Sequence, residues 1–109
     1  MEQEEGTTLL RKRLPPHAVG DATIAVLAEQ RRKGWPGDLV TWGDLGTLDA
    51  VGRRSGFYDL HPSLHVLDAH IRLLNALEQD TRFEKFLFRC VDSNGVRERW
   101  VRAFRLRTL

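Results

Sequence analysis

The chain has a single cysteine, Cys90, so no disulfide can close within it and no cysteine pair exists to hold a metal. A buried structural thiol is the expected role for it. No apolar run approaches the ~18 residues that a membrane-spanning helix requires. The opening stretch MEQEEGTTLLRKR is acidic first and lacks the apolar centre of a signal peptide, so a cytoplasmic location and no membrane partner are expected. Catalytic patterns are also missing. There is no glycine-rich phosphate cradle, no nucleophile with a base beside it, and no carboxylate pair of forced geometry. No enzyme and no cofactor are therefore expected. His61, His65 and Asp68 form the one metal-like spacing, and with no cysteine beside them no metal is expected there. No long heptad stretch is present to build a coiled-coil dimer.

What is present suits one domain of ordinary size. The chain has 109 residues, of which 41% are apolar and 29% charged. The net charge of +2 conceals an asymmetry. Residues 21–81 hold six Lys/Arg against nine Asp/Glu, a net of −3, whereas residues 82–109 hold eight against three, a net of +5. The positive end is nearly all arginine, the residue suited to bidentate phosphate contacts. A basic edge of this kind points to nucleic acid, and ordinary soluble domains carry one too.

Residues 1–17 read as a flexible tail and residues 18–109 as the domain, because Pro15 and Pro16 block helix continuation. The triplet Arg11–Lys12–Arg13 is either an arm for a phosphate backbone or a solvated one. Asp21 is placed as the N-cap of a first helix over 22–33, with Ile24, Ala25, Leu27 and Ala28 as its apolar side and Gly34 as its terminator. After the Trp35–Pro36–Gly37 turn, Leu39–Val40 gives one short strand. Thr41 then caps a second helix from Trp42 to about Arg54, with Leu45, Leu48 and Val51 facing inward. The glycines at 43, 46 and 52 weaken that helix and suit close packing against another element. Ser55–Gly56 ends it, and FYDLH connects to the third helix. Trp35, Trp42 and Trp100 are expected to close the core.

The strongest helical pattern is PSLHVLDAHIRLLNALEQ, residues 62–79. At 100° per residue, Leu64, Val66, Leu67, Ile71, Leu73, Leu74 and Leu77 share one half of the surface, with Pro62 at the first helical position. His70 lies in that half as a hydrogen-bonded core histidine. The other half carries His65, Asp68, Ala69, Arg72, Asn75 and Ala76. Beyond Asp80–Thr81 the period changes to alternation, and DSNG marks a hairpin turn. A two-residue Asn94–Gly95 loop would pair Val91 with Glu98; a three-residue loop pairs Phe88 with Trp100. The second register is expected, since it gathers Phe86, Phe88, Cys90, Trp100 and Phe104 on one face and Arg89, Arg97 and Arg99 on the other.

The order helix, short strand, helix, helix, hairpin resembles the winged helix-turn-helix fold. VTWGDLGTLDAVGRRSG matches its strand and second helix, HPSLHVLDAHIRLLNALE its third helix, and FLFRCVDSNGVRERWVRAF its wing. The resemblance implies an α+β fold of three helices, one short strand and a C-terminal hairpin. It also implies a DNA-binding role in transcription regulation. The third helix would then enter the major groove with His65, Asp68, Arg72 and Asn75, while Ala69 and Ala76 allow close approach. Arg89, Arg97 and Arg99 of the wing would meet phosphates. The implied partner is double-stranded DNA, with a homodimer for palindromic sites. The alternative is a winged-helix module that binds another protein, which the acidic middle of the chain fits better. An RNA-binding wing without base reading is the third possibility.

Overall fold

In the computed structural model, residues 14–35, 37–42, 44–91 and 93–107 are described. Among them are α1 (Ala18–Arg32), β1 (Leu39–Thr41), α2 (Leu45–Arg54), α3 (Phe57–Leu60), α4 (Val66–Glu78), β2 (Phe83–Val91) and β3 (Glu98–Leu106). The architecture is α+β, with the helices gathered on one antiparallel three-stranded sheet of order β1-β3-β2. The tail expected over 1–17 lies, for residues 1–13, outside the described residues; Leu14 packs against the core.

The first helix begins earlier than its acidic residue suggested. Asp21 is not its N-cap; His17 holds that position without a side-chain bond, and Asp21 lies in the first turn. Its carboxylate accepts instead from Arg82 Nη1 at 2.7 Å. Starting at Ala18 also turns the helix. Val19, Ala22, Thr23, Val26 and Leu27 are buried, while Ala28 is exposed. The Thr23 hydroxyl is satisfied inside the core by donating to the Val19 carbonyl at 2.8 Å. Gly34 ends the helix as expected, at φ 87°, where a side chain would be strained.

Thr41 belongs to β1 rather than capping α2, and its hydroxyl donates to the Arg102 carbonyl at 2.9 Å. Asp44 is the cap, accepting from the Thr47 N–H at 3.3 Å. Leu48 and Val51 point into the core as expected, but Leu45 is exposed. The FYDLH connection contains a helical turn, α3, whose Phe57 is buried. The third long helix starts at Val66, not Pro62. His65 caps it through Nδ1, which accepts from the Leu67 N–H at 3.2 Å.

The sheet takes the register that gathering the aromatics on one face had rejected. Val91 pairs with Glu98, Phe88 with Val101 and Arg89 with Trp100. Directly opposed residues share a face, so Phe83, Leu87, Arg89, Val91, Trp100 and Phe104 lie on one side and Phe86, Phe88, Cys90 and Arg99 on the other. The core decides this. Phe83, Phe104 and the Val40 beside it must face the helices together, and all three are buried. They close the core with Leu48, Val51, Leu73, Leu74 and Leu77. Each such side chain contributes about 1.5–3 kcal/mol on leaving water.

Asp80, after α4, fastens the sheet to α1. Its carboxylate accepts from Arg82 N, Nε and Nη2 at 2.7–3.0 Å. The Arg82 guanidinium holds that carboxyl below the usual aspartate range. The helix comes so close that a Cβ at Gly20 would lie 1.9 Å from Asp80 Oδ2.

Candidate functional site

The outward face of α4 has a different composition from the one expected. His65, Asp68, Arg72 and Asn75 are exposed, as expected of a presented face. Ala69, expected there to permit close approach, is fully buried, and Ala76 packs against the core. Ile71 moves the other way and is 43% exposed, joined by Val66 and Leu67. Asn75 is engaged as well, its Oδ1 accepting from Arg102 Nη1 at 2.8 Å. The face that would read a groove therefore offers one arginine, two acids (Asp68 and Glu78) and three apolar side chains.

The hairpin arginines are divided between the two sheet faces and largely engaged. Arg89 lies on the core side and pairs with Glu98. Arg99 lies on the outer side, with its guanidinium 5.2 Å from the Trp42 ring centroid. Arg97 precedes β3. Along the same strands, Lys85 bonds Glu78 at 3.0 Å, Arg102 lies 3.6 Å from Glu78, and Arg105 lies 3.5 Å from Glu84. Lys85 lowers the Glu78 carboxyl below the usual glutamate range. Five of the eight basic residues in 82–109 thus have an acidic partner within the chain.

Apolar side chains, not arginines, dominate the outer half of the hairpin. Every described residue from Leu87 to Trp100 is exposed. On the core side of the sheet, beyond Phe83 and Phe104, come Leu87, Val91 and Trp100, at 56%, 49% and 66% exposure. On the outer side, Phe88, Cys90, Arg99 and Val101 form a shallow recess with Thr41 and Trp42. Of the three tryptophans expected in the core, only Trp42 packs against it; Trp35 and Trp100 are exposed. Cys90 is exposed rather than buried. The apolar face of the hairpin simply runs on past the helices that cover its base. Sequence carried a signal for this. FLF at 86–88 is apolar at both parities, which calls for cover on both faces of a strand.

A second polar cluster sits beneath α4. The Tyr58 hydroxyl donates to Asp49 Oδ1 at 2.6 Å. His70 Nε2 lies 2.9 Å from the same oxygen and 3.1 Å from the Tyr58 hydroxyl. A carboxylate oxygen only accepts, so Nε2 carries a proton and donates it. Nδ1 is buried without a partner, and the ring is fully enclosed. Burial, then the Asp49 bond, pushes the Tyr58 phenol up to about 12; the Tyr58 bond, then His70, lowers Asp49. Gly52 makes room for this arrangement, since a Cβ there would lie 2.6 Å from the Tyr58 ring. The cluster joins α2, α3 and α4, and His70 is the hydrogen-bonded core histidine that the helical pattern indicated.

Among the described residues, no group of three His, Cys, Asp or Glu is gathered to hold a metal, and no helix is long and apolar enough to cross a membrane. His65, from the metal-like spacing, is committed to its capping bond. No protein-family model, no curated protein and no solved structure matches this chain.

Proposed function

We propose that this chain is a winged-helix module that binds another protein through the outer half of its hairpin. The winged-helix reading is supported by the order helix, strand, helix, helix, hairpin and by β3 lying between β1 and β2. The observation that carries the function is the exposed row Leu87, Val91 and Trp100 on the core-facing side of the hairpin. The three side chains surround the Arg89–Glu98 pair on that face, and tryptophan is among the residues that most often anchor protein interfaces.

Duplex DNA binding with a role in transcription regulation is the second reading. Arg72 and Arg97 support it, since both are exposed and neither has an ion pair among the described residues. Arg53 and Arg54, exposed at the end of α2, could add phosphate contacts. The acids of α4 and the pairing of Arg89, Arg102 and Arg105 with acids favour the protein reading over it.

Salt separates the two. Apolar docking predicts partner capture that persists at high salt and is lost with Trp100→Asp. Duplex binding would instead weaken steeply with salt, and Arg97→Ala with Arg99→Ala would flatten that slope. Tight, salt-labile duplex binding that ignores Trp100→Asp would reject the protein reading.

A further inference from the structure

Three features have no use within one chain. The hairpin row Leu87, Val91 and Trp100 is open, and so is the α4 row Val66, Leu67 and Ile71. Beyond Ala103, moreover, β1 no longer pairs with β3, so the hairpin continues as two strands alone. Two-stranded hairpins are marginally stable in water without a covering layer.

Charge indicates what the cover is. Residues 83–106 hold six Lys/Arg against three Asp/Glu, a net of +3, while residues 57–80 hold one against four, a net of −3. After the internal pairs are formed, the residues without an ion pair among the described ones are Asp59, Asp68 and Arg72 on the helical side, a net of −1, and Arg97 and Arg99 on the hairpin side, a net of +2. Two hairpins stacked on each other would set positive against positive. A hairpin laid on α4 sets apolar against apolar within rims of opposite charge. Among the described residues, one chain carries both halves of this match and covers neither.

We propose that the partner is a second copy of this chain, and that the two exchange hairpins, each laying Leu87, Val91 and Trp100 across Leu67 and Ile71 of the other. This rests on the protein-binding reading and names its occupant. A twofold axis makes the contact reciprocal, so each dimer contains it twice. The exposed apolar side chains of both rows offer on the order of several hundred Å² per copy, the apolar centre of an interface whose charged rims bring it toward the ~800 Å² per partner of stable complexes.

The test uses the whole chain and two variants, Trp100→Asp in the arm and Ile71→Asp in the cradle, with far-UV circular dichroism to check that both fold. Native mass spectrometry of the wild type should show a dimer. Each variant alone should dissociate about a thousandfold more readily, because the reciprocal dimer loses an interface hot spot, worth about thirtyfold, at both of its contacts. Mixing the two variants should favour the heterodimer over either variant homodimer, because both lesions then fall in one contact, where their costs overlap, while the intact arm of the Ile71→Asp chain meets the intact cradle of the Trp100→Asp chain. A monomeric wild type overturns the exchange, and salt-resistant capture of a different protein would still uphold the broader reading. A dimer that survives Ile71→Asp but not Trp100→Asp also overturns it, since that is hairpin against hairpin. A mixture that associates no better than either variant alone overturns it too. Should either variant unfold, Leu87→Asp and Leu67→Asp make the same comparison.

Discussion

Tyr58 is the only tyrosine in the chain, and its phenol is pressed between burial and a carboxylate. Absorbance titration should therefore report this one group, at about 12 rather than the ordinary value of about 10. Asp49→Asn should lower it only part of the way, because burial is the larger cause and remains. A midpoint near 10 in the wild type would contradict the cluster. The same shift fixes a stability trend. The unfolded chain releases this proton at about 10 and the folded chain near 12, so the contribution is whole below pH 10 and drains away between 10 and 12. The unpartnered Nδ1 of His70 works against it, at roughly 1–3 kcal/mol for an unsatisfied buried group. Helical periodicity located His70 in the core, but nothing in the spacing linked it to Asp49 and Tyr58. Their meeting depends on α3 folding back across Gly52, a tertiary event.

At the scale of elements, the sequence indicated every described helix and strand except α3, which it took as a connection, but misjudged where they start and which way they turn. Asp21 and Thr41 have the chemistry of caps, yet each found a better partner in the sheet, Arg82 and the Arg102 carbonyl. On α4 the apolar residues cover more than half the circumference, so periodicity could not say that Ala69 is inside and Ile71 outside. The hairpin register failed for a related reason. Clustering aromatics on one face assumed a single buried face, while the core required only Phe83 and Phe104. That division has a measurable consequence in chemical denaturation. Phe104→Ala should cost about 3–5 kcal/mol. Trp100→Ala, measured on dilute protein, should stay within about 0.5 kcal/mol, as for an exposed site. Comparable losses would mean that Trp100 belongs to the core of the single chain.

At the scale of the whole molecule, composition alone pointed to a basic, DNA-seeking edge. The folded arrangement changes that balance, because acids on α4 and on neighbouring strand positions take up most of the hairpin's positive charge. What is left over is apolar, and linear sequence hides it because an exposed Leu87 and a buried Leu73 are the same residue type. The covered base of the sheet, Phe83 to Phe86 with Ala103 to Leu106, should resist amide exchange whether or not a partner is present. Amide hydrogen exchange across Leu87–Val91 and Glu98–Val101, followed from low to high protein concentration, separates a hairpin that a second chain covers from one that stays open. Exchange there should be fast in dilute protein, with protection that grows with concentration as a second chain covers the hairpin. Equal exchange at every concentration, whether fast or slow, would contradict that cover.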